Sequence, residues 1–386
     1  MRIAVVTSIP TPYRDPFWSV FAAQENVELE VIYCSPGKGD RPWDRSWRQD
    51  YVTHYPRAYN LARYFGEDAS CYWNPKIGKI LSAQPFDGII VGGYNHLTML
   101  RAILFARRHG IPYFLQSEVY LAQPRSSWRV WAKQALVTNI VTRAAGCLPT
   151  GKLASEYLLH YGADPDAMCQ IPNVPDVEQL HKTATALLPR REEIKAEKGV
   201  AGKYVVLFVS RLIELKRVDL LLRAFAVASE GMDAVLVILG DGPMRQEWEQ
   251  LAGELKLGDR VRFEGFLNPE ALPEWYSIAD LSALTSTDET WSVVVLEALA
   301  AGVPVVITDR VGCYANAIND ERVGDVVRAG DLTELTAALK KRMTAKPQAG
   351  EIARAWAPGR ESFRYQTIAE RAVAFLAKHC NQARSA

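Results

Sequence analysis

The sequence predicts an α/β protein built from two Rossmann-like domains that face a central cleft. Its 386 residues exceed what one hydrophobic core usually serves. Short apolar runs rich in Val, Ile and Leu alternate with amphipathic stretches along the whole chain, which is typical of parallel strands joined by helices. The alternation restarts after a polar break at residues 176–197, so two units of similar size joined by one linker are expected.

Composition excludes several classes of protein. Lys+Arg 45 against Asp+Glu 44 leaves a net charge of +1, far from the basic excess of a protein that coats nucleic acid. A hydrophobic content of 48% without blocks of like charge excludes a disordered chain. No apolar run is long enough to span a membrane, and Pro10 ends the first one early. The six cysteines form no CxxC pair, which favours reduced cytoplasmic thiols over a zinc site.

The predicted elements follow from these apolar runs and their spacing. In the first half, strands are expected at residues 3–7, 28–33, 88–91, 113–116, 146–148 and 169–171, with helices at 98–108 and 128–142. In the second half, strands are expected at 204–209, 235–239, 261–264, 281–284 and 304–307, with helices at 218–228, 244–255 and 292–301. Residues 363–379 have the pattern of a long amphipathic helix. Because open α/β sheets bind ligands beyond the carboxyl ends of their strands, polar residues that follow strands are the site candidates.

Two carboxylates flank the start of one predicted helix. Glu289 lies in the loop after the strand at 281–284, and Glu297 lies about two turns into the next helix. Backbone N–H groups near Ser292 and Val293 would lie between them at the positive end of the helix, where they can hold an anion. Each carboxylate can accept hydrogen bonds from vicinal hydroxyls of a sugar or ribose. The alternative is a solvated loop residue at 289 and a surface residue at 297, although the neighbours of Glu297 are mostly apolar.

Two cations follow another strand. Arg211 comes at the end of the strand at 204–209, and Lys216 precedes the next helix. Together with the helix N-terminus they can neutralise a diphosphate, and this matters because the sequence shows no metal site. The alternative is a solvated basic loop. The turn around Gly242 lacks the third glycine of a dinucleotide-binding fingerprint, because Arg245 stands there, and it is interpreted as a tight strand-to-helix turn.

Taken together, these segments resemble the retaining glycosyltransferases of family 4, which have the GT-B fold. The resemblance rests on the Arg-x4-Lys pair, the Gly-rich turn at 240–242, the segment 261–266, and the E-x7-E motif at 289–297 with its continuation to Pro304. It is strong over roughly residues 145–330 and weak before them. It implies transfer of a sugar, with retained configuration, from a nucleoside-diphosphate sugar to a glycan or lipid-linked acceptor, with neither metal nor another cofactor.

The resemblance also implies roles for residues. Arg211 and Lys216 would bind the donor diphosphate, Glu297 would hold the ribose hydroxyls, and Glu289 would contact the donor sugar near the reacting carbon. The other donor contacts are expected from Gly242, Phe263, Gly265, Phe266, Ser292 and Val293. The implied organisation is an acceptor-binding domain over residues 1–187, a donor-binding domain over 188–358, and a C-terminal helix over 359–386 that crosses back to the first domain.

The second half departs from the family pattern at three places. Ser210 stands where a glycine often precedes the arginine, and Arg217 stands where a glycine often follows the lysine. Trp291 and Ser292 replace the usual Phe-Gly after the first glutamate. These changes are expected to affect the choice of donor.

The first half departs more strongly from the family pattern. Several residues are therefore candidates for binding the acceptor. A loop with Pro10 and Pro12 replaces the usual Gly-rich loop, and Tyr13 and Arg14 can point from it into the cleft. The histidine that many members carry after the strand at 113–116 is missing, so its role falls on Glu118 or moves elsewhere. His96 is an alternative polar group of the cleft, or else a helix cap or packed residue.

Two further stretches suggest what the acceptor is. Trp47 belongs to an aromatic and basic stretch at residues 41–48 that suits an anionic or lipid-diphosphate glycan, unless it is an ordinary packed loop. Residues 101–143 contain seven Lys or Arg and one acid, and the helix in Arg125–Arg143 can lie on an anionic membrane surface, unless it is simply solvated. A cytoplasmic enzyme, peripheral on the inner face of the plasma membrane, is therefore expected.

The sequence thus predicts a glycosyltransferase of surface polysaccharide or glycoconjugate synthesis. A GT-B sugar-nucleotide epimerase is an alternative, but it needs acid and base residues that the sequence does not identify. A non-catalytic nucleotide-sugar or glycan-binding protein is the other alternative. Glu289 and the Arg211/Lys216 pair disfavour it, because a binding protein has no leaving group to neutralise.

Overall fold

The computed structural model describes residues 1–37, 47, 49–61, 71–121, 128–345 and 350–385. The chain divides into two compact units, Met1–Val174 with Tyr365–Ala386, and Pro175–Arg364. These bounds differ from the expected ones, because residues 175–187 and 359–364 belong to the second unit.

The first unit is built on a six-stranded parallel sheet. Its strands are β1 (Arg2–Thr7), β2 (Glu28–Tyr33), β3 (Val52–His54), β6 (Gly88–Val91), β7 (Tyr113–Ser117) and β8 (Gly146–Pro149), beside a small antiparallel pair, β4 (Tyr59–Asn60) and β5 (Tyr72–Trp73). Its helices are α1 (Asp15–Ala22), α2 (Ile77–Leu81), α3 (Leu97–Arg108), α4 (Trp128–Val141), α5 (Lys152–His160) and α16 (Tyr365–Ser385). The strand order is β3-β2-β1-β6-β7-β8.

The second unit repeats this architecture. Its strands are β9 (Tyr204–Val209), β10 (Ala234–Leu239), β11 (Val261–Gly265), β12 (Leu281–Leu284), β13 (Val305–Thr308) and β14 (Gly324–Val327), in the order β11-β10-β9-β12-β13-β14. Its helices are α6 (Val177–Leu187), α7 (Arg191–Glu197), α8 (Val218–Ala228), α9 (Arg245–Glu254), α10 (Leu272–Ile278), α11 (Val293–Ala300), α12 (Tyr314–Ala317), α13 (Leu332–Thr344), α14 (Glu351–Ala355) and α15 (Ala357–Ser362).

The first strand of each unit lies at the centre of its sheet. β1 pairs with β2 on one side and β6 on the other, and β9 pairs likewise with β10 and β12. Successive connections therefore leave the central strand in opposite directions, which opens a crevice beyond its carboxyl end. In each unit this point is where a ligand site is expected.

Two expectations about elements are wrong. Residues 169–171 do not form a strand, although they run beside β8, where the N–H of Cys169 donates to the carbonyl of Cys147. Residues 176–197 are not an unstructured linker but contain α6 and α7. Asp176 caps α6 by accepting a hydrogen bond from the N–H of Gln179, and α6 packs on α10 and α11. The polar composition of this segment describes only the outer face of these helices.

The C-terminal helix completes the first unit. Tyr365, at the start of α16, lies 6.4 Å from Phe17 of α1 between ring centroids. Further along, Phe375 makes an edge-to-face contact with Phe114 of β7, and Gly146 of β8 leaves room for its ring. The end of the chain is thus fixed to the sheet by aromatic packing.

Candidate functional site

The crevice of the second unit brings together the loops that follow β9 and β12. The N–H of Thr287 donates to the carbonyl of Leu215 (2.8 Å), and the hydroxyl of Thr285 donates to the carbonyl of Lys216 (2.9 Å). The Lys216 side chain is largely buried, and its ammonium group forms an ion pair with the carboxylate of Glu289. Lys216 and Glu289 were predicted from separate motifs, and the fold places them in direct contact.

The backbone of Glu289 is fixed by the loop after β13. Its N–H donates to the carbonyl of Arg310 (3.0 Å), and its carbonyl accepts the N–H of Gly312 (2.8 Å). Only glycine fits at position 312, because a Cβ there would lie 2.1 Å from the carbonyl oxygen of Thr290. The Glu289 side chain keeps 23% of its surface exposed. The carboxylate is therefore held in place yet open to a ligand.

Glu297 is a buried acid in the second turn of α11. Only 4% of the residue is exposed, so the alternative of a surface residue is wrong. Helical side chains lean towards the N-terminus of their helix, which directs this carboxyl group over the first turn. There the hydroxyl of Tyr276, on α10, donates to Glu297 Oε2 (2.9 Å). Burial raises the pKa of Glu297 to about 7, against a weaker lowering by the Tyr276 hydrogen bond.

Arg211 is the exposed member of the cation pair. It forms no ion pair with any residue in the part of the chain that the structure describes, so its guanidinium group is available for an anion. Its loop is anchored by a hydrogen bond from the N–H of Leu212 to the carbonyl of Asp241 (2.9 Å). The glycines of the facing turn permit this contact, because a Cβ at Gly240 would lie 1.8 Å from the carbonyl oxygen of Ser210. A Cβ at Gly242 would lie 2.4 Å from the carbonyl oxygen of Leu212.

Two departures from the family pattern fall where the backbone favours glycine. Arg217, at the N-terminus of α8, has φ of 49°, and Ser292, at the N-terminus of α11, has φ of 107°. The chain thus keeps a left-handed backbone at both positions without glycine. Arg217 forms a two-point ion pair with Asp219, which offsets part of its strain. Trp291 is buried and packs edge-to-face on Phe363, with 6.4 Å between ring centroids. This contact holds in place the backbone that leads into Ser292 and α11.

The segment that holds the expected donor contacts Phe263, Gly265 and Phe266 is held in place by Arg245 and by Gly240. The guanidinium group of Arg245 donates to the carbonyl of Phe263 (3.1 Å), and the N–H of Gly240 donates to the carbonyl of Gly265 (2.7 Å). Phe266, just beyond β11, exposes 45% of its surface. Arg245 was not predicted as a site residue. Its signal was its position, since it replaces the third glycine of a nucleotide-binding pattern.

In the first unit, Arg14 and Glu118 meet beyond the carboxyl ends of β1 and β7. Their side chains form an ion pair, and Arg14 Nε donates to Asn173 Oδ1 (3.0 Å). The Asn173 amide in turn donates to Glu118 Oε1 (2.9 Å). Arg14 is mostly buried, whereas the Glu118 side chain exposes 39% of its surface. Asn173 was not predicted to take part, although it belongs to a segment that resembles the family.

The other candidates of the first unit are placed differently. His96 is fully buried, with Nε2 3.0 Å from the hydroxyl of Ser8, so it is packed inside the unit and not open to a ligand. Tyr13 is half-buried in the loop after β1. The Trp47 indole N–H donates to Asp15 Oδ2 (2.8 Å). The rest of the stretch at 41–48 lies outside the described residues.

Asp15 is a buried carboxylate that the sequence reading missed. It accepts hydrogen bonds from the hydroxyl of Tyr33 (2.9 Å), the indole of Trp47 and the amide of Gln49 (2.7 Å). Burial raises the pKa of Asp15, while these hydrogen bonds act in the opposite direction. The cluster ties Trp47 and Gln49 to the start of α1.

Within the described ranges, no group of three or more His, Cys, Asp or Glu side chains is arranged to hold a metal ion. In the same part of the chain, none of the helices combines the length and apolar character that crossing a bilayer requires.

Comparison with known proteins agrees with this geometry. Residues 190–356 match the family model described as "Glycosyl transferases group 1". The match covers 167 of the 386 residues, so the chain is similar to this family over part of its length. It supports the glycosyltransferase family predicted from the motifs, whereas the retaining stereochemistry stays a prediction.

Curated relatives match over part of their length. A D-inositol 3-phosphate glycosyltransferase of Thermomonospora curvata is 32% identical over 203 residues, which are 50% of this chain and 47% of the relative. An alpha-D-kanosaminyltransferase of Streptomyces kanamyceticus is 33% identical over 153 residues, 39% of each chain. The matched region thus spans less than half the length of these relatives.

Solved structures establish the fold over nearly the whole chain. A structure of Anabaena HepE in complex with UDP-glucose superposes with a TM-score of 0.70 at 18% identity, covering 98% of this chain and 100% of that one. The lipopolysaccharide glycosyltransferase WaaG gives a TM-score of 0.65 at 19% identity, covering 97% and 99%. The predicted α/β class with the GT-B fold is confirmed.

Proposed function

We propose that this protein is a retaining glycosyltransferase that moves a sugar from a nucleoside-diphosphate sugar to a glycan or lipid-linked acceptor, without a metal ion. The observation that carries the proposal is the contact between Lys216 and Glu289 in the crevice of the second unit, with Arg211 exposed on the same loop as Lys216. A pair of cations supplies what a diphosphate leaving group requires, and carboxylates supply what sugar hydroxyls require.

The ion pair gives the donor a way to organise the site. An arriving diphosphate competes with Glu289 for the Lys216 ammonium group, and Arg211 adds a second positive charge. Glu289 then exchanges its contact with Lys216 for hydroxyls of the donor sugar. The buried carboxyl group of Glu297 faces the first turn of α11, where it can accept hydrogen bonds from the ribose.

Transfer requires one bond to break and one to form at the same carbon. The bond between the anomeric carbon and the diphosphate oxygen breaks, and its electron pair leaves with the diphosphate, whose charge Arg211 and Lys216 neutralise. The acceptor oxygen forms the new bond from the same face, which retains the configuration. Its proton passes to the leaving phosphate oxygen. This route needs no external base. It therefore leaves Glu289 and Glu297 to bind ligand hydroxyls and, in the case of Glu289, the Lys216 ammonium group.

The acceptor is assigned to the first unit. Arg14 and Glu118 lie in its crevice, and the outer part of Glu118 is exposed to a ligand hydroxyl. We propose an acceptor for surface polysaccharide or glycoconjugate synthesis. A lipid-linked acceptor of this kind is anchored in a membrane, and the enzyme would then work in the cytoplasm at the inner face of the plasma membrane. Tyr13 and Trp47 stay candidates for acceptor contacts.

A binding screen followed by turnover tests the donor part. UDP-glucose is the first donor to try, because it is bound in the structurally similar HepE. UDP, GDP, ADP and their sugars are compared by thermal shift, since a ligand at 100 times its Kd stabilises a protein by about 2.7 kcal/mol. Hydrolysis or transfer of the best donor is then measured with and without EDTA. Loss of turnover in EDTA would contradict the metal-free route.

Variants separate an enzyme from a binding protein. Lys216→Ala is expected to lower turnover on the order of 100-fold, because it removes one group that neutralises the leaving charge. Glu289→Gln is expected to lower turnover while largely keeping the affinity for UDP. Glu230→Gln, an exposed change in the turn after α8, serves as the matched control. A protein that binds sugar nucleotides but turns none of them over would support the non-catalytic alternative.

A further inference from the structure

The outer surface of α3 and α4 in the first unit is basic and carries exposed leucines. Arg101, Leu104 and Arg108 follow each other at helical spacing on α3, and all three are exposed. Leu104 exposes 61% of its surface, and Leu136 on α4 exposes 50%. The hydrogen bond from Arg107 to Asn139 Oδ1 (3.0 Å) joins the two helices into one surface.

A shallow cavity lies at one end of this surface. Its volume is about 280 Å³, and Arg107 and Gly110 at the end of α3 line it together with Thr142 and Arg143 after α4. Tyr113, the first residue of β7, lies in its wall. The cavity is thus at the amino-terminal edge of the sheet, whereas Arg14 and Glu118 lie at the carboxyl edge.

The charge of this surface is not neutralised by the residues that the structure describes. The described side chains of residues 101–143 include four arginines and one acid, although the whole chain has 45 basic and 44 acidic residues. That acid, Glu118, is paired with Arg14 and lies a full strand away, about 16 Å from the cavity edge, which exceeds the screening length of about 8 Å at physiological salt. Arg101, Arg107, Arg108 and Arg143 form no ion pair with any residue that the structure describes.

We propose that this surface of α3 and α4 docks on a bilayer that contains anionic lipids. The arginines match the charge of the headgroups, and the cavity between Arg107 and Arg143 can take one headgroup phosphate. The exposed leucines favour a bilayer over a soluble polyanion. Apolar side chains among cations are stabilised by burial in the hydrocarbon of a membrane, which a soluble polyanion does not offer. The side chains of residues 128–133 and Arg125, which belong to the same predicted basic helix, lie outside the described part and carry none of this argument.

The proposal does not depend on glycosyl transfer, so the two can fail separately. The full chain is sedimented with vesicles of phosphatidylcholine, with and without 30 mol% phosphatidylglycerol, at low and high salt. Binding is expected only to the anionic vesicles and is expected to fall with salt. The double variant Arg107→Glu/Arg143→Glu is expected to bind at least tenfold more weakly. Donor binding, followed by thermal shift with UDP, is expected to be unchanged in it.

The matched control reverses two exposed cations of the second unit. Arg328→Glu/Lys340→Glu changes the net charge by the same amount and is expected to bind anionic vesicles like the parent protein. A third variant, Leu104→Ser/Leu136→Ser, keeps the charge and is expected to bind more weakly. Absence of binding to anionic vesicles, an equal loss in both charge variants, or full binding by the leucine variant would each overturn the proposal.

Discussion

Replacing Glu297 with glutamine is expected to remove a pH dependence from the stability of the second unit. The residue is 4% exposed, and burial raises its pKa from 4.5 to about 7. The folded chain therefore keeps a proton that the unfolded chain releases above pH 4.5. Stability from this group is fully present below pH 4.5 and is lost as the pH rises towards and through 7.

The size of the effect follows from the shift. A difference of about 2.5 pKa units corresponds to about 3 kcal/mol over the whole window, of which roughly 2.5 kcal/mol falls between pH 5 and pH 8. Urea unfolding of the parent protein and of Glu297→Gln is measured at both pH values. The free energy of unfolding of the parent, relative to the variant, is expected to decrease by that amount. In thermal scans the relative change in Tm is about 5–10 °C for a unit of this size.

A control variant and a ligand-binding measurement make the test specific to Glu297. Glu230→Gln, an exposed change, is expected to differ from the parent equally at both pH values. Because a ribose hydroxyl needs the ionised carboxylate as acceptor, UDP is expected to bind the parent about tenfold more tightly at pH 8 than at pH 6. A relative stability that stays constant from pH 5 to pH 8 would refute the assignment of a raised pKa to Glu297.

Three further substitutions, the first with a matched control, test the backbone and the buried polar groups, each by urea unfolding. Gly240→Ala is expected to destabilise the protein by about 3 kcal/mol or more, because its Cβ would lie 1.8 Å from the carbonyl oxygen of Ser210. Its control, Gly253→Ala, lies on an open face of α9 and is expected to stabilise the protein by about 0.5–1 kcal/mol. Ser292→Gly is expected to stabilise by about 1 kcal/mol by relieving a φ of 107°, and a net loss would show that the side chain contributes more than the strain costs. Asp15→Asn is expected to destabilise the protein by about 2 kcal/mol. The carboxylate accepts hydrogen bonds from three groups, and the NH2 of an asparagine amide would face one of these donors without an acceptor. An unchanged urea midpoint would contradict that account.

Much of the fold was predictable because buried parallel strands have a simple signature. The strands at 88–91, 204–209 and 281–284 begin and end where the apolar runs do. Strands covered on both faces need apolar residues at every position, and this leaves a continuous run in the sequence. The segment at 176–197 was misread because its helices bury only narrow faces, so polar residues dominate its composition.

The donor site was predictable as a set of residues but not as an arrangement. Each motif follows a strand, so its place at the carboxyl edge could be inferred from the chain alone. The ion pair between Lys216 and Glu289 could not, because the two residues are 73 positions apart and meet only when β12 is placed beside β9. Arg245 was missed for a related reason, since its contact with Phe263 crosses from α9 to the end of β11.

The sequence by itself determined the alternation of strands and helices, the two-unit organisation and the chemical types available for a site, because these depend on local periodicity and residue identity. Only the tertiary structure decided which groups are buried, paired or open to a ligand. It enclosed His96 and Asp15, neutralised Arg14 with Glu118, and left Arg211 exposed. Burial and pairing depend on strand order and on the packing of distant segments, and neither is recorded in the local pattern of the chain.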